Sequence, residues 1–433
     1  MNRQLRVLLI VGLASVTGFA CGDDDPSDPN SDPASPSIPP LTCAEANRAA
    51  TGTTLADVGA DTTLSGVVNV PGIRIVHTGG TITVDAGTVF LMSAGSSLKF
   101  GFGGAVGTVQ MNGTAERPIL FCGVTGTAGT YGNIDFGPAL TTDSYLRNVR
   151  FEDGGDANGP GNPSTNGPDS ALRFAGATEF ELTNVVVRNA QGIGINASSF
   201  DPTSANLTVT EVTGRPMHLR TANAVSNLPS GQYTGNGEDL IEIDGVQNDA
   251  ATITFGDPGV PYIQVVNRVN FAVENHVVNF DPGVEYRFIA DAFMVVGFGN
   301  SVGTLNVNGT AANPVIFTSA AATPAAGDWN GLQLGPQIQT GSSIQNAEFR
   351  FGGKAPTGDC GAENANLSFA GVNDTDVAVS GVTFADSAGF GVCVQDGRQT
   401  INGDSDAAAG ARGSGNIFTN NAAGDVSVAN PRN

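Results

Sequence analysis

The feature that most constrains this chain is a long internal repeat. Gly107–Phe121 reads Gly-Thr-Val-Gln-Met-Asn-Gly-Thr-Ala-Glu-Arg-Pro-Ile-Leu-Phe. It returns 196 residues later at Gly303–Phe317 as Gly-Thr-Leu-Asn-Val-Asn-Gly-Thr-Ala-Ala-Asn-Pro-Val-Ile-Phe. The same offset joins Ile82–Gly87 to Val278–Gly283, and an offset of 198 joins Tyr131–Pro138 to Trp329–Pro336 and Leu146–Phe151 to Ile344–Phe349. The chain therefore reads as two copies of one unit, residues 43–245 and 246–433, behind an N-terminal leader and tether.

A shorter period runs inside each copy. Val149/Phe151, Val185/Val187 and Leu207/Val209 are short alternating segments, preceded by Asn148, Asn184 and Asn206. The gaps are 36 and 22 residues, and the Gly/Pro/Asn loop 153–168 accounts for the excess in the longer one. In copy two, Leu367/Phe369 precede Val392/Val394 by 25 residues. A unit of 22–25 residues holding two or three short strands is the mark of a solenoid coil. Alternation gives each strand an inner and an outer face. An Asn at a fixed place can occupy a left-handed turn and hydrogen-bond along the stack. A two-domain β-sandwich is the competing fold, but its strands would recur every 8–12 residues without the longer unit. The only helical pattern is Cys43–Ala50, which has the composition for a turn of helix.

The repeat resembles right-handed parallel β-helix proteins of bacterial surfaces. The likeness is carried by Asp85-Ala-Gly87, Asn112-Gly-Thr114, Pro118-Ile-Leu-Phe121, Asn148-Val-Arg-Phe151, Gly154-Gly155 and Gly192-Ile-Gly-Ile195. The second copy carries Asp281-Pro-Gly283, Pro314-Val-Ile-Phe317, Trp329 and Gly389-Phe-Gly-Val392. It covers roughly residues 60–425. The resemblance implies an all-β solenoid and leaves function open, because that fold serves enzymes, adhesins and plain scaffolds.

The leader gives an address. Arg3 and Arg6 precede the apolar stretch Val7–Val16, and small residues precede Cys21, the order expected of an export signal over residues 1–20. Cys21 resembles the acylated cysteine of bacterial lipoproteins, which implies a lipid anchor in an envelope membrane, outer membrane or cell surface. Ala20 fits that family's cleavage box, whereas Gly18 and Phe19 depart from it, so an ordinary secretion cut stays open. Residues 21–42 are rich in Pro, Asp and Ser and poor in apolar residues, the composition of an extended tether.

With Cys21 lipidated, Cys43, Cys122, Cys360 and Cys393 remain, an even number in an exported chain. Proximity in sequence favours Cys43–Cys122 and Cys360–Cys393 among the three pairings. No pair has Cys-x-x-Cys spacing, which argues against metal.

Charge excludes one class of partner. The chain carries 41 Asp+Glu against 19 Lys+Arg, a net charge of −22. Such a chain presents no basic face to a phosphate backbone, so nucleic acid is not the expected partner.

Catalytic signatures are sparse. Enzymes on this fold mostly cut acidic polysaccharides, with clustered carboxylates for Ca²⁺, an arginine or lysine base, or paired acids. The Asn-Thr-Asp, Gly-His-Gly and Arg-Ile-Lys motifs of galacturonan hydrolases are missing, as are the pectate-lyase motifs. His77, His218 and His276 do not correspond between copies and read as bystanders. The copy-one loop gathers Glu152, Asp153, Asp156, Asn158, Asn162 and Asp169. A solvated acidic loop is its plainest reading. A Ca²⁺ site on Asp153, Asp156 and Asn158 is the sharper one. Arg147, Arg150, Arg173 and Arg188 are the cations that an active groove with Asp153 and Asp156 would need. In the acidic run Glu238–Asp244, alternation places Leu240, Ile241 and Ile243 in the core and the acids outside. Tyr131 and Trp329 share one repeat position, where a covered core aromatic is expected over a sugar platform.

The expected protein is thus a lipid-anchored, disulfide-stapled envelope β-helix. Its role is non-catalytic (structural, adhesive or glycan-binding), with a polysaccharide lyase or hydrolase as the alternative. Its expected partners are the membrane, through the lipid, and polysaccharide or cell-surface glycan.

Overall fold

The computed structural model describes residues 40–58, 60–76, 79–102, 104, 106–155, 170–176, 179–247, 251–271, 275–299, 301–355, 361–371 and 375–429. Cys21, His77, Asp156, Asn158, Asn162, Asp169 and Cys360 lie outside the described residues.

Copy one winds through three strands per coil. Thr81–Val84, Val89–Met92 and Ser97–Phe100 make one coil, and the next passes through Thr108–Asn112, Ile119–Gly123 and Ile134–Phe136. Strands pair in parallel with their counterparts one coil on, residue over residue apart from register shifts at Ala205/Leu207 and Leu219/Thr221. Ile82 lies against Val109, Phe90 against Phe121, and Lys99 against Asp135. All named strand pairings are parallel, and the chain is a right-handed parallel β-helix, the hand that parallel crossovers take.

Alternation drives the winding. In Thr81–Val84 the residues Ile82 and Val84 are fully buried while Thr81 and Thr83 are half-buried, and Arg268–Phe271 repeats this with Val269 and Phe271. Exact stacking turns inward positions into columns. Phe90, Phe121 and Phe151 stack with centroids 4.3 and 4.7 Å apart, and Phe317, Phe349, Phe384 and Phe418 continue at 4.8, 5.4 and 5.2 Å. These distances match the ~4.8 Å separation of hydrogen-bonded strands, so each ring rests on the ring below.

The turns stack too. Asn148, Asn184 and Asn206 all have φ between 50° and 58°, the left-handed region that asparagine tolerates. The Asn184 amide donates to Asn148 Oδ1 (3.2 Å) and that of Asn206 to Asn184 Oδ1 (3.1 Å). The periodic asparagines of the sequence form a hydrogen-bonded ladder.

The two copies do not stack in phase. Ile134–Phe136 lies in the thirteen-stranded sheet that runs through both copies, but its repeat counterpart Leu332–Leu334 lies in a separate six-stranded sheet. Conversely, Val315–Ser319 belongs to the thirteen-stranded sheet and its counterpart Ile119–Gly123 does not. The shift occurs where Ile241–Gln247 pairs with Tyr262–Gln264. Equivalent surfaces of the copies therefore sit on different tracks.

Two expectations change. Residues 43–50 form turns, not helix. Cys43 is bonded to Cys122 across 79 residues, with a Cα–Cα distance of 5.4 Å, and Arg48 is held by Asp153 at 2.8 Å, so tertiary ties override alanine propensity. Short helices form instead at Ala222–Ser226 and Ala407–Arg412, where the Thr221 and Asp406 side chains accept backbone N–H groups. Glu242 is not exposed; it is half-buried against Arg215 and His218, and Ile241 and Ile243 are core as the alternation required, whereas Leu240 is only half-buried. Cys393 is also disulfide-bonded.

Residues 40–50 thus strap an apolar patch on the outside of the solenoid, where Cys43 packs with Val89, Leu91 and Leu120. Replacing Cys43 by Ser removes a staple that closes a long loop, so urea denaturation should show a loss of about 2–4 kcal/mol.

Candidate functional site

The acids of the copy-one loop begin where the long strand Tyr145–Glu152 ends. Asp153 takes φ 72° and turns its carboxylate inward, leaving it 2% exposed. Its Oδ2 meets Arg48 Nη1 (2.8 Å) and accepts the Gly123 N–H (3.2 Å), while Oδ1 accepts from Asn189 Nδ2 (2.6 Å). Asp153 thereby ties the N-terminal strap to two coils. Both of its oxygens are engaged by protein donors, and its proposed Ca²⁺ partners Asp156 and Asn158 fall outside the described residues. Among the described residues no three His, Cys, Asp or Glu side chains come together to hold a metal.

Glu152 is equally buried, beside Cys122 in the neighbouring coil. Burial raises its carboxyl above the ordinary glutamate value, against the opposing pull of Arg188 and the Cys43 N–H. An acid of this kind favours the fold while protonated and loses that contribution as pH rises through its raised folded value. Glu152→Gln should therefore melt higher than the parent at pH 7, and the gain should vanish below about pH 4, where both chains carry a neutral group; thermal scans across pH check this.

The four arginines do not converge. Arg188 lies 3.8 Å from Glu152 and 3.6 Å from Glu211, and Arg150 lines a 310 Å³ recess along the asparagine ladder. Arg173 pairs with Asp135 in the thirteen-stranded sheet (3.0 Å). Arg147 belongs to another place altogether.

That place is a 430 Å³ cleft on the outer side of copy one. Tyr145 and Arg147 are successive outward residues of one strand. The Arg147 guanidinium sits 4.1 Å over the Tyr145 ring. It also makes a bidentate bridge to Glu181, Nε to Oε1 at 2.7 Å and Nη2 to Oε2 at 2.6 Å. The Arg147 hydrogen bonds hold the Glu181 carboxyl below its usual range. Gln110 lies beside Tyr145 in the preceding coil, and Asp143 and Asp201 complete the walls. The cleft offers a ring clamped in place, an amide and several carboxylate acceptors, the chemistry that meets the faces and hydroxyls of a sugar.

The cleft has a signature in the sequence. The 36-residue step from Asn148 to Asn184 also takes Tyr145 to Glu181, so outward residues one coil apart could have been aligned. Copy two places Ser343 and Gln345 at the positions of Tyr145 and Arg147, so the cleft is private to copy one.

Tyr131 and Trp329 are core, as expected. Trp329 stacks on Phe288 at 4.0 Å and donates Nε1–H to the Arg350 carbonyl (2.8 Å). Gly154 and Gly352 pass against the two rings, where a Cβ would stand 2.8–3.0 Å from ring carbons. His218 is not isolated: its Nδ1 lies 2.5 Å from Glu242 Oε2 and its Nε2 3.4 Å from Asp244 Oδ2. Burial opposes ionisation of Glu242, but His218 and Arg215 outweigh it and hold the carboxyl low.

Among the described residues no helix is long and apolar enough to cross a membrane. Residues 282–383, within copy two, match the family described as a pectate-lyase like beta helix domain. No curated protein and no solved structure matches the chain. The chain is a parallel β-helix, and its residues 282–383 are similar to a pectate-lyase like beta helix domain.

Proposed function

We propose that this protein is a non-catalytic, glycan-binding β-helix held on the bacterial envelope by a lipid on Cys21. The observation that carries the binding reading is the Tyr145–Arg147–Glu181 cleft, a preorganised ring and hydrogen-bonding wall on a rigid face. Sugar recognition of this kind draws on ring stacking and on planar acceptors fixed before the ligand arrives. Asp153 is taken up by Arg48, Arg147 by Glu181, Arg173 by Asp135 and Arg188 by Glu152 and Glu211, in separate places, which favours binding over turnover.

A glycan array probed with residues 41–433 tests it. Tyr145→Ala should weaken the captured glycan about tenfold, the scale of a lost aromatic contact, while the melting temperature holds.

The second reading is a polysaccharide lyase or hydrolase, favoured by the pectate-lyase-like match over residues 282–383. Release of unsaturated product from uronate polymers, by a lyase, or of new saturated reducing ends, by a hydrolase, would replace the first reading with this one. The anchor has its own check: mass spectrometry of the envelope form should find acylated Cys21, and a free N-terminal thiol there would remove the lipid from the proposal.

A further inference from the structure

The outer side of the thirteen-stranded sheet carries a row that neither the cleft nor the family match explains. Successive coils place Lys99, Asp135, Arg173, Asn196, His218 and Glu242 in register, one above another. Their neighbours on each strand, such as Leu172, Ile195 and Met217, are core, so the row faces outward. Yet Asp135, Asn196 and His218 are at most 3% exposed. Arg173, Glu242 and Arg215 keep 13–23% of their side chains open and Asp244 keeps 39%, so the rim is reached from solvent.

The row is electrically divided. At one end two cations, Lys99 and Arg173, face a single acid, Asp135, which Arg173 grips at 3.0 and 3.2 Å. At the other end Glu238, Glu242 and Asp244 face Arg215 and His218; Arg215 bridges Glu238 (2.7 Å) and Glu242 (2.6 Å). Between the ends stands Asn196, whose buried Nδ2 has no hydrogen-bond partner. A buried amide donor left unsatisfied costs about 1–3 kcal/mol, which makes Asn196 a place where an acceptor belongs. The corresponding row of copy two reads Gln333, Ser368, Cys393 and Ser427, without charge. The charged row is thus not a requirement of the coil.

We propose that this row is a binding slot for a small zwitterion, separate from the glycan cleft. The carboxylate of the ligand would accept from Asn196 Nδ2 and lie toward Arg173, one coil step away. Its ammonium group would lie toward Glu242 and Asp244. Asn196 and Glu242 are two coil steps apart, about 10 Å at the spacing of paired strands. The preferred ligand is therefore an ω-amino carboxylate or a short peptide with charges separated by that span.

Calorimetric titration of the intact protein with a ladder of ω-amino carboxylates, β-alanine to 6-aminohexanoate, tests the slot. Affinity should rise to a best length, and hexanoate and hexylamine should each bind at least about tenfold more weakly, since each meets one end only. Asp244→Asn, at a rim position, should weaken the zwitterion several-fold without changing the melting temperature. Asn196→Leu should abolish binding. Tyr145→Ala should leave it intact, which separates this slot from the glycan cleft. Equal binding of hexanoate or hexylamine would overturn the proposal, as would silence along the whole ladder, which would mean that Asn196 holds only a water.

Discussion

Every feature of this molecule depends on the in-register parallel pairing between coils. A parallel ladder with no slip places each residue directly over its equivalent one turn earlier. A favourable inward residue is then favourable in every coil, so phenylalanines collect into stacks of the Phe90–Phe121–Phe151 kind. The same rule sets Asn148, Asn184 and Asn206 in one ladder, and it sets unlike charges of distant strands against each other on the outside. One-dimensional stacking of this kind makes stability a sum over neighbouring coils. The strap of residues 40–50 adds a covalent tie and the Arg48–Asp153 bridge.

The out-of-phase join gives duplication a second consequence. Two copies stacked in phase would carry matching surfaces along one face. Here the thirteen-stranded sheet passes from one type of strand to another at Ile241–Gln247, so the tracks are exchanged. The core tolerates this because every track presents alternating apolar residues. The outer surfaces have diverged: Tyr145 and Arg147 correspond to Ser343 and Gln345, and Asp135 corresponds to Gln333. Copy one carries the polar cleft and the charged row, while the family match falls in copy two.

Much of the fold was legible. The coil length, the inward residues, the left-handed asparagines and the Cys43–Cys122 bond all follow from local pattern or spacing. Residues 43–50 misled because helix propensity is a weak prior, and the disulfide and Arg48 hold that segment in turns. The sites were much less legible. Asp153 read as a surface ligand, but its positive φ aims it at Arg48, Gly123 and Asn189, partners 30 to 105 residues away. His218 read as solitary because Glu242 lies 24 residues downstream, one coil away in space.

By itself the sequence determined that this chain must coil. A repeated alternation of apolar and polar residues, broken by Gly and Asn at fixed intervals, can bury its faces only by stacking on itself. Tertiary structure alone decided which outward side chains meet. Contact across coils depends on loop lengths that vary from one turn to the next and on the shift between the copies. Those quantities are settled only when the whole stack closes its hydrogen bonds.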